Sequence, residues 1–183
     1  MTTDTNADDA RLAPLLAAIA DRRDDLVALT QELIQIPTLN PPGENYRLIC
    51  EYLETRLSKA GFEIEMIRAH GTPGDSEKYP RWNIIARREG TSKGECVHFN
   101  SHTDVVEVGN GWTTDPFGGA LIDGKIYGRG ACDMKGGLAA SIIAAEVFIE
   151  TFPNFHGAIE ISGTADEESG GYGGVAYLAE KGY

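Results

Sequence analysis

Two side chains near the middle of the chain, His102 and Asp104, have the types and spacing of a metal ligand and its partner. They follow residues 97–100, a short segment typical of a β-strand. On an extended backbone, residues i and i+2 point the same way, so the imidazole and the carboxylate can meet. Asp104 can then hold one ring nitrogen while the other binds a metal ion, as is usual for ligating histidines. The alternative is a His and an Asp that are simply hydrogen-bonded at the surface.

A glycine-dense segment, residues 128–137, contains a single carboxylate, Asp133. Glycines permit positive φ angles and close backbone approach, which placing one carboxylate in a crowded site requires. Asp133 also suits the N-cap of a helix that begins near Met134, because Asp accepts a backbone N–H bond there. A phosphate-binding loop fits less well, because the segment lacks the glycine spacings of such loops and a carboxylate repels phosphate.

Three consecutive acids, Asp166, Glu167 and Glu168, follow a third strand-like segment, residues 159–164. Adjacent carboxylates repel one another unless a cation or a proton compensates, so the cluster favours a metal ion. One carboxylate can bind the metal while its neighbour takes a proton from a metal-activated water. The alternative is a solvated acidic turn.

These three motifs are more specific together than singly. His102, Asp133 and Glu168 each follow a strand or a strand-like segment, and strand C-termini in an open α/β sheet line one edge where ligands bind. An imidazole with carboxylates and no thiolate suits zinc, and also cobalt or manganese. The sequence therefore predicts a metal site, with zinc as the first choice.

Helices and strands alternate along the chain around these motifs. Apolar spacing predicts a long amphipathic helix from Leu12 to Ile36, either straight or kinked, and a second one near residues 46–57. A tight hairpin turn is predicted at Asp123-Gly124. The other predicted elements are strands at 62–67, 83–87, 96–100 and 158–164, and helices at 136–150 and 174–181. This order predicts an α/β domain over residues 12–183, a three-layer mixed sheet with helices on both faces, after a mobile leader over residues 1–11.

Composition restricts which partners the protein is expected to bind and in which compartment it is expected to lie. The 183 residues carry a formal net charge of −12, which argues against nucleic acid or an anionic membrane as a partner. We expect a cytoplasmic protein, because no stretch approaches the roughly 20 apolar residues that cross a bilayer and the N-terminus is unlike a signal peptide. Cys50, Cys96 and Cys132 show no CxxC spacing, so a disulfide framework or a thiolate zinc site is not expected. We interpret Cys50 and Cys96 as core residues.

The sequence resembles the M20 metallopeptidases, in the branch of acetylornithine deacetylase and succinyl-diaminopimelate desuccinylase. Three runs carry the resemblance: Ser101-His102-Thr103-Asp104-Val105-Val106, residues 128–138, and Thr164-Ala165-Asp166-Glu167-Glu168. The loop Asn40-Pro41-Pro42-Gly43 and residues 111–117 also resemble family segments.

This resemblance implies a zinc-exopeptidase-like catalytic domain with two divalent metal ions. His102 would bind one ion, Asp133 would bridge both, and Glu168 would bind the second. Asp104 would orient His102. Glu167 would be the general base that deprotonates the bridging water and then the acid that protonates the leaving amine. In the family, the peptide bond after the bridging aspartate is commonly cis.

The implied activity is removal of an acetyl or succinyl group from a small amino-acid-like substrate. A dipeptidase or carboxypeptidase of the same family, and a non-enzymatic domain that binds metal or protein, remain alternatives. The family completes its site with a further acidic ligand and a distant histidine, with a lid or dimerisation domain between them. The chain ends at Tyr183 before these, so we expect an incomplete domain that is inactive by itself, from a parent that forms a homodimer. The remaining histidines are interpreted as structural or surface residues: His70, His98 and His156.

Overall fold

Helices and strands alternate as the sequence predicts, in a computed structural model that describes residues 5–183 and the side chains from residue 12 onward. The helices are α1 (Thr5–Asp21), α2 (Arg23–Ile34), α3 (Tyr46–Lys59), α4 (Gly136–Thr151) and α5 (Val175–Lys181). The strands are β1 (Glu63–Arg68), β2 (Trp82–Glu89), β3 (Ser92–His102), β4 (Ala120–Ile122), β5 (Lys125–Tyr127) and β6 (His156–Thr164). The predicted α/β class is confirmed. Among the described helices, none is long and apolar enough to span a membrane.

The N-terminal apolar segment forms two helices where the sequence predicts one long helix. α1 and α2 meet at Arg22, which has φ −92° and ψ 13°. The Arg22 guanidinium lies 2.6 Å from the Asp25 carboxylate and 2.7 Å from the Glu146 carboxylate of α4. The pair with Glu146 holds the junction against α4.

α1 begins before the predicted helix start at Leu12. The mobile leader predicted for residues 1–11 stays a prediction. Residues 1–4 and the side chains of residues 5–11 lie outside the described part of the chain.

Four strands form one mixed sheet in the order β1-β2-β6-β3. β2 pairs antiparallel with both β1 and β6, whereas β3 and β6 run parallel. His102 at the end of β3 is in register with Thr164 at the end of β6. The segment between these two strands contains the β4–β5 hairpin and α4. The carboxyl ends of β3 and β6 therefore lie side by side.

The apolar core lies between one face of this sheet and helices α2, α3 and α4. It includes Ile84 of β2 and Ile161 of β6, in one cluster with Leu53 of α3 and Leu138 of α4. Successive strand residues point to opposite faces, and Ile85 lines a groove with α5 on the other side of the sheet. The sheet therefore has helices on both faces, as predicted.

Asp123 and Gly124 form the predicted turn between β4 and β5. Their φ angles are 49° and 75°, and a two-residue type I′ hairpin turn requires positive φ at both positions. The local Asp-Gly signal therefore predicts this hairpin correctly.

One of the two cysteine predictions is confirmed and the other is wrong. Cys50 is buried in the core as predicted, but Cys96 is exposed, so its assignment to the core is wrong. Cys96 lies on β3, which is the outer strand of the described sheet and pairs there only with β6. A strand at a sheet edge keeps part of its surface open, and local sequence does not reveal which strand lies at the edge.

Candidate metal centre

Three residues that are far apart in the sequence converge beside the carboxyl ends of β3 and β6: His102, Asp133 and Glu168. One potential ligand atom from each lies within 4.8 Å of the other two. Ligand atoms bound to one zinc ion at about 2.0–2.2 Å in tetrahedral geometry lie roughly 3.4 Å apart, so a group within 4.8 Å is compact enough to share bound cations. An imidazole with two carboxylates is also a donor set suited to divalent cations. His102, Asp133 and Glu168 therefore have the spacing and the chemistry to bind a metal ion.

His102 ends β3, and its ring lies between two aspartates. Its Nε2 atom is 3.0 Å from Asp133 Oδ1. Its Nδ1 atom is 3.1 Å from the backbone oxygen of Asp104 and 3.4 Å from Asp104 Oδ1. The backbone carbonyl of Asp104 thus approaches the ring more closely than the Asp104 carboxylate, which the sequence predicts as the partner of the ring. Both contacts leave Nε2 directed toward Asp133.

The protonation of His102 depends on this acidic setting. Burial disfavours the charged imidazole, but bonds to Asp104 and Asp133 and the charge of Glu167 outweigh burial and raise the pKa of His102 to about 9. In the metal-free protein, His102 therefore carries its proton at neutral pH.

Metal affinity is consequently expected to depend on pH. A metal binds neutral imidazole, so the cation must displace the His102 proton. Because the folded-state pKa is raised, the proton is present at pH 6 and lost near pH 9. We expect the apparent Zn²⁺ affinity to rise by up to about tenfold per pH unit between pH 6 and pH 8. Calorimetric titrations in buffers of different ionisation enthalpy measure the released proton, and a pH-independent affinity would contradict the prediction.

Asp133 lies in an irregular turn, Ala131–Lys135, directly before α4. Its backbone is non-helical, with φ −131° and ψ 101°, and its peptide bond to Met134 is cis, at the position that the family resemblance singles out. The start of α4 has no side-chain capping hydrogen bond, so the N-cap alternative for Asp133 is not supported. The carboxylate faces His102 instead.

Lys135, which the sequence analysis did not single out, anchors that turn. Its side chain is fully buried, and Nζ donates to the carbonyls of Leu33 at 2.9 Å and Ile36 at 2.6 Å. Burial lowers the pKa of Lys135 to about 7, against the opposing effect of the Asp104 charge. Its position within the glycine-dense segment was visible, but its partners at the end of α2 are close only in the folded chain.

Gly130 lets the turn pack closely against the residue that follows Asp104. It has φ 81°, and an added Cβ would lie 2.4 Å from Val105 Cγ1. Gly124 makes a matched control, because it has φ 75° and no heavy atom within 4 Å of an added Cβ.

Gly130→Ala is therefore expected to lower the free energy of unfolding by about 1–3 kcal/mol more than Gly124→Ala does, since both share the backbone strain but only Gly130→Ala overpacks. Urea denaturation of both variants measures the difference. Equal losses of unfolding free energy in the two variants would show that Val105 moves away from the added methyl group without destabilising the fold.

The side chains of the three consecutive acids, residues 166–168, lie in different surroundings. Glu167 is 56% exposed, and its Oε2 atom lies 3.8 Å from His102 Nε2. Asp166 turns inward, where Arg81 and Tyr46 bind its carboxylate. Arg81 therefore compensates Asp166, and the two glutamates are the acids of this cluster that remain for a cation.

Asp104 connects the end of β3 to this acidic turn. Its buried carboxylate accepts the backbone N–H groups of Glu167 at 3.2 Å and Glu168 at 3.1 Å. It also accepts a bond from Asn40 Nδ2 at 2.8 Å. Burial opposes ionisation of Asp104, but bonds from His102, Asn40 and the Glu168 N–H prevail and lower its pKa. The role of Asn40 was missed, although its Asn-Pro-Pro-Gly loop was noticed.

The pKa of Glu168 shifts in the opposite direction from that of Asp104. Burial raises the pKa of Glu168, the charge of His102 opposes this effect, and the charges of Asp104, Asp133 and Glu167 reinforce it. Like charges gathered around one carboxylate disfavour its ionisation unless a cation is present. The metal-free site is thus electrostatically arranged to favour a bound cation.

Comparison with protein families identifies the chain. Residues 98–183 match the model described as Peptidase family M20/M25/M40, and they include His102, Asp133, Glu167 and Glu168. Residues 98–183 belong to the M20 peptidase family. The family resemblance predicted from the sequence is confirmed.

Individual M20 relatives are similar over most of this chain. Succinyl-diaminopimelate desuccinylase from Cereibacter sphaeroides is 39% identical over 158 residues, which make up 85% of this chain and 38% of that protein. The chain thus spans well under half the length of this curated relative.

Solved structures of other proteins share the fold. Human carnosine dipeptidase 1 superposes with a TM-score of 0.79 at 26% identity, over 93% of this chain and 37% of that chain. The Bacillus subtilis YXEP protein, titled a dinuclear metal binding peptidase from the M20 family, has a TM-score of 0.57 at 18% identity, over 87% of this chain and 39% of that one. At that identity, the second likeness shows the fold alone.

Proposed function

We propose that this chain supplies the first part of a two-metal centre in an M20 hydrolase that removes an N-acyl group, succinyl before acetyl, from a small amino-acid-like substrate. The convergence of His102, Asp133 and Glu168 beside Glu167 is the observation that carries the proposal. The 39% identity to a succinyl-diaminopimelate desuccinylase supports the succinyl group.

The donor set assigns the metal-binding roles in this proposal. His102 would hold one ion, Glu168 the second, and Asp133 both. Zinc is our first choice, with cobalt and manganese as alternatives for the same imidazole and carboxylate ligands. Bound ions of this kind polarise a carbonyl and make water more acidic. Asp104 would keep the His102 ring in place through its contacts at Nδ1.

Glu167 would move the proton in the reaction. Its carboxylate is exposed and lies 3.8 Å from His102 Nε2, so it borders the site without being enclosed by it. In amide hydrolysis, the water oxygen bonds to the carbonyl carbon, the C–N bond breaks, and a proton passes to the leaving nitrogen. Glu167 would accept that proton from the attacking water and deliver it to the amine. The products are a carboxylate and a free amine.

Assays with N-succinyl-diaminopimelate and N-acetylornithine, in the presence of Zn²⁺ or Co²⁺, test this function. We expect hydrolysis by the full-length parent and negligible turnover by the 183 residues alone, because we propose that further ligands lie outside them. Efficient turnover by the 183 residues would contradict the proposed ligand count. Failure of the parent to hydrolyse either compound would contradict the substrate class.

Dipeptide hydrolysis is the second candidate. It is favoured by the fold likeness to human carnosine dipeptidase 1, at a TM-score of 0.79 and 26% identity. Comparing kcat/KM of the full-length parent on N-succinyl-diaminopimelate and on carnosine distinguishes the two activities. A carboxypeptidase, a non-enzymatic binding domain, a homodimeric parent and a cytoplasmic location also remain predictions.

A further inference from the structure

A buried ion pair lies directly behind the acidic turn of the candidate metal centre. Arg81 is 4% exposed and Asp166 is 2% exposed, and Arg81 Nε donates to Asp166 Oδ2 at 3.1 Å. The Tyr46 hydroxyl donates to Asp166 Oδ1 at 2.9 Å and accepts the Asp166 backbone N–H at 3.1 Å. These contacts occupy both carboxylate oxygens of Asp166, so this acid is directed away from the metal ligands.

Asp166 also sets the backbone of the turn. It has φ 62° and ψ 19°, a left-handed conformation that is uncommon for residues other than glycine. Its carbonyl accepts the N–H groups of Ser169 at 3.1 Å and Gly171 at 2.6 Å. Glu167 and Glu168 lie within this closed turn, so the placement of Asp166 determines where both side chains leave the backbone.

Arg81 connects this turn to a neighbouring loop. Its Nη1 donates to the carbonyls of Pro42 and Tyr79, each at 2.8 Å. An added Cβ on Gly173 would lie 2.4 Å from Asp166 Oδ2 and 2.5 Å from Arg81 Cγ, so the pair packs tightly against the chain that follows the turn. The guanidinium is therefore held from several sides and can hold Asp166 in turn.

We infer that Arg81 and Tyr46 are positioning residues, which fix Asp166 and thereby aim Glu167 and Glu168 at the metal centre. A buried ion pair is weak support for a gain in stability, because desolvation offsets the attraction, whereas it does restrict geometry. The inference rests on the proposed function for the roles of the two glutamates. The contacts themselves involve no metal, so they can be tested without one.

Tyr46→Phe is the central variant, because it keeps the ring and removes only the hydroxyl that holds Asp166. Tyr52→Phe is the matched control, since it makes the same change on the same helix, where the hydroxyl donates to Glu32. Asp166→Asn is a second, stronger variant. All three are made in the 183-residue chain, and amide hydrogen exchange is followed residue by residue by NMR, without metal and then in a Co²⁺ titration.

We expect Tyr46→Phe to accelerate exchange at the amides of residues 167–169 by at least about tenfold, with core amides of α4 unchanged, because local opening is independent of global unfolding. We expect the Co²⁺ dissociation constant to rise by about tenfold or more, as for other residues that orient ligands. Tyr52→Phe should change neither. Uniform acceleration throughout the chain, or no change at residues 167–169, would overturn the inference. If the unaltered chain binds no Co²⁺, metal-free exchange still decides the positioning role, whereas failure of the full-length parent to hydrolyse its substrates is what would contradict the proposed function.

Discussion

Replacing Glu167 with Gln is expected to lower kcat of the full-length parent on N-succinyl-diaminopimelate by about 10²–10⁴-fold, the usual contribution of a positioned general base. Glutamine has nearly the same shape but cannot take a proton from water. Because the proposed metal ligands are His102, Asp133 and Glu168, metal content is expected to stay unchanged. Steady-state kinetics together with elemental analysis of the purified variant measure both quantities.

Glu180→Gln provides the control for this substitution. Glu180 is an exposed glutamate on α5, outside the metal group, so the same change there should leave kcat and metal content as they are. Loss of metal together with activity in the Glu167 variant would make Glu167 a ligand. Unchanged hydrolysis by the Glu167 variant would show that Glu167 takes no part in the reaction. Absence of hydrolysis by the unaltered parent as well would favour a non-enzymatic binding domain.

His102→Ala is expected to weaken Zn²⁺ binding by more than about 100-fold, because deletion of a ligand should exceed the 10–100-fold cost typical of changes that only orient one. The substitution removes the imidazole nitrogen that faces Asp133 at 3.0 Å. Competition with a chromophoric chelator measures the affinity, and thermal unfolding of the metal-free variant verifies that it is folded.

His98→Ala is the matched control for this second experiment. His98 lies on the same strand, β3, but its Nε2 atom is 2.9 Å from Ser162 Oγ, outside the His102, Asp133 and Glu168 group. We expect its substitution to leave Zn²⁺ affinity within about twofold, as for a residue without contact to a ligand. Equal losses in the two histidine variants would place the bound metal elsewhere.

Both experiments depend on one structural feature, the register of β3 with β6. His102 and Thr164 are paired, so the histidine at the end of one strand lies beside the acidic turn that follows the other. The Asp104 carboxylate then joins the two segments through the N–H groups of Glu167 and Glu168. A rigid connection of this kind keeps ligands in place before a metal binds, which reduces the cost of ordering them.

Local patterns in the sequence predicted the elements that depend on neighbouring residues. The Asp123-Gly124 turn follows from two adjacent residues that tolerate positive φ. The α4 helix follows from a continuous apolar run after a glycine-dense turn. The sequence allowed for a kink in the first long helix but did not place it at Arg22, whose ion pair is with Glu146, a residue 124 positions away.

The three consecutive acids give the clearest division between sequence and tertiary structure. Residue types and spacing nominated His102, Asp133 and the acidic cluster at 166–168, because the chemistry of a metal site restricts which side chains can serve it, and the family resemblance then assigned roles to Glu167 and Glu168. Adjacent carboxylates have nearly the same local sequence, so nothing local separates Asp166 from its neighbours. The folded chain separates them, because Arg81 and Tyr46 reach Asp166 across the structure and compensate its charge. Sequence alone thus determined which groups could bind a cation, and only long-range packing decided which of them lie together at the candidate centre.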